Sequence, residues 1–314
     1  MYINAIGYYI PEGRVDNAHF LEVNGLTSEW IEQRTGIRTR SKAADDETVD
    51  TMALEAVESA LPTLPYDVKD VDLIVAAAYS VYDTVATTAH IVQRQYGIEG
   101  AKAVYASSAC SSFINGMEIV EGYFASGKAK KALVVCSEKN TYYSNESDPK
   151  CGHLWGDAAV AYFVSAERQS ESDIEIEDIF TEGLGQLGKG PDGVKLRPHE
   201  DGITMPDGRD VFMYACRYMV YALNQSLANR GLQLSDVDKV ICHQANKRIV
   251  AQVAHQLGMP MTDFLNNIEE LGNTGSASAP LVLAQKREEI EKGSRVALVV
   301  FGGGYSCGCM TVKV

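Results

Sequence analysis

The chain has 314 residues, 46% of them hydrophobic and 22% charged, with a formal net charge of −14. That length supports a sizeable core, in one large unit or two smaller ones. Phosphate binding needs clustered Lys and Arg, so the acidic balance excludes a nucleic-acid surface, and no apolar run reaches the ~18 residues of a membrane span.

From the N-terminus, Met1-Tyr-Ile-Asn-Ala-Ile-Gly has no basic leader and reads as a first strand. Residues 73–78 form a short apolar run, the pattern of a strand buried on both faces. A helix is predicted over about 111–126, with Phe113, Met117, Val120 and Phe124 on one face and Gly127 as its stop. Residues 132–136 read as another buried strand. The charged stretch 167–178 reads as a connector. Residues 239–242 and 295–301 are again strand-like. Helices are predicted over 247–257, ending at Gly258, and over 281–292 after Pro280, ending at Gly293. Cys307 and Cys309 alternate along a terminal strand and so share a face. The alternation of strand and helix predicts an α/β fold with covered sheets. Seven cysteines without regular spacing argue against a disulfide framework and for a reducing, cytoplasmic setting. No set of four zinc ligands is visible, so no metal is expected.

The chain also repeats itself. Asp70-Val-Asp-Leu-Ile-Val75 resembles Asp236-Val-Asp-Lys-Val-Ile241 at an offset of 166 residues, and Ala132-Leu-Val-Val135 matches Ala297-Leu-Val-Val300 at an offset of 165. Two matches at nearly one offset predict two similar α/β halves, 1–170 and 171–314. The same offset sets Cys110 opposite Gly275. The turn carrying Cys110 and the turn Asn273-Thr-Gly-Ser are then equivalent strand-to-helix turns, and they face one another if the halves pack about a pseudo-twofold axis. A crevice at the carboxyl ends of strands is where such sheets bind ligands.

Three polar residues at these turns stand out. Cys110 follows a strand and opens an amphipathic helix, where the helix dipole is expected to favour thiolate. Its small neighbours Ala109, Ser111 and Ser112 leave room for a substrate. A free cysteine is more often buried and structural, and Cys136, Cys242, Cys307 and Cys309 keep that reading. His243 ends a buried strand and is followed by the polar turn Gln244-Ala245-Asn246. A neutral imidazole there donates to a developing oxyanion, whereas His19, His90, His199 and His255 read as structural. Asn273 sits in a glycine-flanked turn as an oxyanion donor or as a helix N-cap. The three glycines of Phe301-Gly-Gly-Gly-Tyr305 can aim backbone N–H groups at an oxygen.

These pieces resemble the β-ketoacyl-acyl-carrier-protein synthase III family of the thiolase superfamily, in order and over essentially the whole chain. They are Trp30-Ile-Glu-Gln-Arg-Thr-Gly-Ile-Arg38, the Cys110 turn, Gly156-Asp157-Ala158-Ala159, His243-Gln-Ala-Asn246, Gly272-Asn-Thr-Gly-Ser276 and Phe301-Gly-Gly-Gly304. The resemblance implies a thiolase-like fold, two repeated α/β halves in five α/β/α/β/α layers, and a homodimer. It implies that Cys110 takes an acyl group from a thioester and that the N–H groups of Cys110 and Gly303 form the oxyanion hole. His243 and Asn273 then serve decarboxylative condensation with malonyl-acyl carrier protein in fatty acid biosynthesis. No cofactor is needed, because loss of carbon dioxide drives the reaction. The implied partners are an acyl carrier protein and an acyl thioester on coenzyme A or a carrier.

Trp30, Arg34, Asn246, Arg248 and Phe212 match positions that bind substrate in relatives, and Val85 stands where acetyl-preferring relatives place a phenylalanine at the acyl pocket. Lys247 and Arg248 offer an acidic carrier a basic point. Two departures matter. Lys150-Cys151-Gly152 replaces an Asp-Arg-Gly that contacts coenzyme A adenine, and Gly-Asp-Ala-Ala replaces Gly-Asp-Gly-Ala. They leave room for a relative that joins two fatty-acid-derived chains. A non-catalytic subunit of a condensing pair is disfavoured by the intact Cys110, His243 and Asn273. A hydrolase or simple acyltransferase would need Cys110 alone.

Overall fold

The computed structural model describes residues 1–314. Nine strands form the main sheet: β1 (Tyr2–Tyr9), β2 (Leu73–Ala77), β3 (Lys102–Ala106), β4 (Lys131–Lys139), β5 (Asp157–Ser165), β6 (Ile174–Gly183), β7 (Lys239–Cys242), β8 (Arg295–Gly302) and β9 (Ser306–Lys313). Their spatial order is β7-β8-β9-β6-β1-β5-β4-β2-β3. The join between β6 and β1 is thin, resting on Tyr2–Glu175 and Ile3–Ile174 alone. On either side of it the chain repeats one pattern. In the first half β2 runs parallel to β4, which is antiparallel to β5, which is antiparallel to β1. In the second, β7, β8, β9 and β6 follow the same sequence of directions. The first half adds β3 at its outer edge, parallel to β2. In the second half that place holds only an isolated bridge of Phe264 to Val240.

Five principal helices cover the sheet: α1 (Val49–Ala60), α2 (Ser112–Ala125), α3 (Gly208–Asn229), α4 (Lys247–Leu257) and α5 (Ser278–Lys286). Side-chain alternation along the strands sorts them into layers. Leu73, Val75 and Ala77 of β2 join Val296, Leu298 and Val300 of β8 in one core of 32 buried residues, which includes Phe113, Ile114, Met117 and Val120 of α2 and Leu281–Leu283 of α5. The opposite face of β2, Ile74 and Ala76, packs with α1. The opposite face of β8, Ala297, Val299 and Phe301, packs with α3 and α4, and Cys307 and Cys309 lie there together. The order is therefore outer helices, half-sheet, central helices, half-sheet, outer helices. The central helices have no water-facing side near their starts: the first six residues of α5 are all buried.

Three expectations shift at element ends. The stretch 167–178 is not all connector, because β6 begins at Ile174. Ile174, Ile176 and Ile179 point inward while acidic residues alternate between them, a half-buried strand whose charged face masked it. The helix expected from 281 begins at Ser278 and takes Pro280 into its first turn, where no backbone N–H is needed. It ends at Lys286, before the expected 292.

Candidate active site

The turn between β3 and α2 is closed by serines. Ser108 C=O accepts from Ser111 N–H at 3.1 Å and from Ser111 Oγ at 2.7 Å, and Ala109 C=O accepts from Ser112 N–H at 3.0 Å and Ser112 Oγ at 2.6 Å. Ala109 adopts φ +50°, a left-handed conformation that costs energy for a residue with a Cβ. The strained residue thrusts Cys110 out of the turn. Ser111 Oγ also meets Ser306 Oγ at 2.6 Å, which ties the turn to the start of β9. Gly302 packs against it from the other side: a Cβ there would stand 2.6 Å from Ser108 O and 3.1 Å from Ser111 N. The glycine run and the Cys110 turn are thus packed together, and the N–H groups of Gly303 and Cys110 favour the thiolate form of the Cys110 sulfur.

His243 follows β7. Its N–H donates to Val299 C=O at 2.8 Å, continuing the β7–β8 ladder, and its Nδ1 meets Ser278 Oγ at 2.6 Å. Burial lowers the imidazole pKa to about 4, so the ring is neutral at pH 7. Ser278 Oγ also accepts from Gln244 N–H at 3.2 Å, and its O–H can donate to Nδ1, the arrangement that puts the ring proton on Nε2. Asn273 is held by its backbone, its N–H donating to Leu154 C=O at 2.8 Å and its C=O accepting from Gly156 N–H at 3.0 Å. Its Oδ1 accepts from Gly275 N–H at 3.0 Å, which spares the Nδ2 hydrogens. The side chain caps a turn and keeps its donors.

Cys110, His243, Asn273 and Gly303 line one cavity of about 100 Å³, together with Phe212 and Asn246. Asn246 also caps α4, accepting from Arg248 N–H at 2.8 Å. The Arg248 guanidinium lies 5.8 Å from the Phe212 ring, one side chain removed from the cavity. Lys247 is engaged elsewhere, bonded to Glu269 at 2.5 Å. Trp30 and Arg34 lie against each other, 5.5 Å from guanidinium to ring, and Trp30 packs edge-on to His153. Neither lines the cavity. Cys110 and Gly303 also line a second cavity of about 470 Å³, with Tyr79, Trp155 and Tyr305.

Val85 lines neither cavity of the single chain. Asp83 Oδ1 accepts from Val85 N–H and Ala86 N–H at 2.7 and 3.1 Å, a turn that leaves the valine 84% exposed. The resting thiol is also not acidified. Burial pushes the Cys110 pKa up to about 12, and the charge of Glu138 adds to the rise, while the Gly303 N–H, the Tyr79 hydroxyl and its own N–H pull the other way. The helix start alone does not make a thiolate. Cys151, in place of the adenine-binding arginine, is buried with Trp155 and Ile203 and bonds to Asp148 Oδ2 at 3.3 Å.

Sequence reasoning missed Glu138, Ser278 and Tyr79. Glu138 is fully buried and accepts from Tyr79 N–H at 3.1 Å, from Ser80 N–H at 2.9 Å and from the hydroxyls of Ser80 and Ser276. Burial raises its carboxyl pKa to about 7. The signal lay in β4, where Ala132, Val134 and Cys136 face the central core and Glu138 continues the same row. No group of three or more His, Cys, Asp or Glu side chains is arranged to hold a metal ion.

The chain is similar to two family models, 3-oxoacyl-[acyl-carrier-protein (ACP)] synthase III over residues 106–183 and its C-terminal counterpart over residues 227–314. It is 34% identical to the β-ketoacyl-[acyl-carrier-protein] synthase III of Nitratidesulfovibrio vulgaris over 99% of this chain and 98% of that one. It belongs to the β-ketoacyl-[acyl-carrier-protein] synthase III family. The corresponding Deinococcus deserti protein is 35% identical over 99% of this chain and 90% of its own length. The crystal structure of 3-oxoacyl-[acyl-carrier-protein] synthase III from Aquifex aeolicus superposes at a TM-score of 0.92, with 31% identity, 100% of this chain and 99% of that chain. The family shares the thiolase-like fold described above. Its members, this chain included, are acyltransferase-type condensing enzymes of fatty acid biosynthesis.

Proposed function

We propose that this synthase III carries an acyl group on Cys110 and condenses it with malonyl-acyl carrier protein in two half-reactions that use different donors. The observation that carries the reading is the convergence of Cys110, His243, Asn273 and Gly303 on one cavity. In the first half-reaction the Cys110 sulfur attacks the thioester carbonyl of the acyl donor. The tetrahedral oxyanion sits between the N–H groups of Cys110 and Gly303. The carbon–sulfur bond to the donor breaks, and the departing thiolate takes up the proton that Cys110 gave up. In the second, malonyl thioester loses carbon dioxide, and the electron pair of the broken bond forms an enolate. Its oxygen accepts from His243 Nε2–H and Asn273 Nδ2–H. The enolate carbon attacks the acyl-Cys110 carbonyl and expels the Cys110 thiolate.

The substrate arm is assigned to Phe212, Asn246 and Arg248, with Trp30 and Arg34 farther out. Of the two neighbouring cations Lys247 is paired with Glu269 and Arg248 is not, so Arg248 is the one offered to an acidic carrier. Cys151 is buried where an adenine contact would be needed, which favours a carrier over coenzyme A as acyl donor. The enzyme is assigned to the cytoplasm as a homodimer of chains, each divided into halves 1–170 and 171–314. All seven cysteines are free, which suits a reducing compartment, and β3 is an unpaired sheet edge open to a second copy. No helix is long and apolar enough to cross a membrane.

Intact-protein mass spectrometry tests the reading. Acyl thioesters should add one acyl mass to the wild type and none to Cys110→Ala, with folding retained. An adduct of normal rate on Cys110→Ala would move the nucleophile to another cysteine.

A further inference from the structure

The hydroxyl of Tyr79 is enclosed at the centre of the site and has no well-aligned hydrogen-bond partner. Buried hydroxyls are rarely left so, because the lost hydration is not repaid. The ring is fixed on several sides. Tyr79 N–H donates to Glu138 Oε1 at 3.1 Å, which pins the backbone. The ring lies against Gly275 of the Asn273 turn, close enough that a Cβ on Gly275 would stand 2.5 Å from the hydroxyl and 3.0 Å from the ring. Tyr79 shares the larger cavity with Cys110, and the Cys110 thiol is foremost among the ionisable groups around its hydroxyl, ahead of Glu138 and Cys136. The Tyr79 hydroxyl favours the thiolate form of the Cys110 sulfur, as the Gly303 N–H does.

The site has an electrostatic difficulty that this hydroxyl answers. A buried thiol near the Glu138 carboxylate resists ionisation, and His243, neutral and engaged by Ser278, supplies no positive charge beside it. We propose that Tyr79 is a further catalytic residue, its O–H donating to the Cys110 sulfur as that sulfur becomes a thiolate and again when condensation expels it. The hydroxyl is idle in the resting thiol and finds its partner when charge develops. Catalytic hydrogen bonds are commonly misaligned at rest and tighten as the reaction proceeds, and a donor waiting for charge stabilises the transition state more than the ground state. Tyr79 keeps its own proton throughout. The Cys110 proton still ends on the departing thiolate of the acyl donor.

The inference rests on Cys110 as nucleophile, and one experiment separates the two. Wild type and Tyr79→Phe are alkylated with iodoacetamide across a pH series, and the labelled cysteine is mapped by mass spectrometry. Loss of the hydroxyl should raise the pH at which Cys110 ionises and slow its alkylation at neutral pH by about 10- to 100-fold. The melting temperature of Tyr79→Phe should stay level or rise, because an unpaired buried hydroxyl is removed and the ring remains. A hydroxyl with a merely structural role would give the reverse, a lower melting temperature with unchanged alkylation, and would overturn the proposal. Superimposable pH profiles on a labelled Cys110 would overturn it and leave the nucleophile standing. A label on another cysteine would remove the nucleophile and this proposal together.

Discussion

At the scale of single residues the proposed reaction divides its donors between two oxygens. The N–H groups of Cys110 and Gly303 favour charge at the sulfur, and the side chains of His243 and Asn273 line the same cavity. His243→Ala or Asn273→Ala should therefore slow malonyl decarboxylation by about 10²–10³ and leave single-turnover acylation of Cys110 nearly unchanged. The check is carbon dioxide release beside acyl-adduct formation. Equal loss of both steps on removing Asn273 would make it a brace for its turn, through the Gly275 bond. Loss of acylation on removing His243 would make the ring a base for Cys110. That Cys110, His243 and Asn273 would gather at one cavity was legible because each stands at the polar end of an apolar strand or beside glycines. Glu138 was not, because a charged residue ending a strand reads as exposed until the facing layer is known. Nor was the acidity of Cys110, which depends on enclosure and on Glu138 more than on its place at a helix start.

At the scale of elements the decisive joint is the one between the Cys110 turn and the end of β8. Gly302 leaves no room for a Cβ, because the blocking atoms are the backbone of Ser108 and Ser111 as well as the Ser306 hydroxyl, and backbone cannot swing aside as a side chain would. Gly302→Ala should cost about 1–3 kcal/mol in stability, as overpacking does. It should also slow acylation at least ~10-fold by shifting Cys110 from the Gly303 N–H. Denaturant unfolding and single-turnover acylation read the two effects. A stable variant with normal acylation would show that the turn gives way without moving the sulfur. Helix ends at Gly127 and Gly258 were legible because both glycines take positive φ just past the last turn. The 22-residue α3 was not singled out. Its buried row of Ala215, Cys216, Met219, Ala222, Leu223 and Leu227 is small-residue-rich and so weak as a periodic signal.

At the scale of the whole molecule the repeat was the most informative feature, since it implied two half-sheets with their turns opposed before any element was placed. Its consequence is a seam where polar groups from both halves are buried together. Glu138 from the first half accepts from Ser276 of the second, and its carboxyl is held up at about 7 against an ordinary 4.5. A raised carboxyl keeps its proton in the folded state after the unfolded chain has lost it, so this group's contribution is full below pH 4.5 and is lost as pH rises through 7. The buried imidazoles act in the opposite sense. His243 and His153 fall to about 4 from 6.5, so stability is lost as pH falls through that window because only the unfolded chain takes up the protons. The two opposed slopes overlap, and the wild-type profile alone does not separate them. Glu138→Gln does. It replaces the carboxyl by a group that never ionises, and whatever hydrogen bonding it loses is a constant offset. The stability of the variant relative to wild type should rise steadily between pH 4.5 and 7 and level off above, by up to ~3 kcal/mol at about 1.4 kcal/mol per pH unit. Urea unfolding of both proteins across that range measures it. A flat difference would mean that Glu138 ionises as easily in the fold as in water, and that the seam between the halves is wetter than its burial implies.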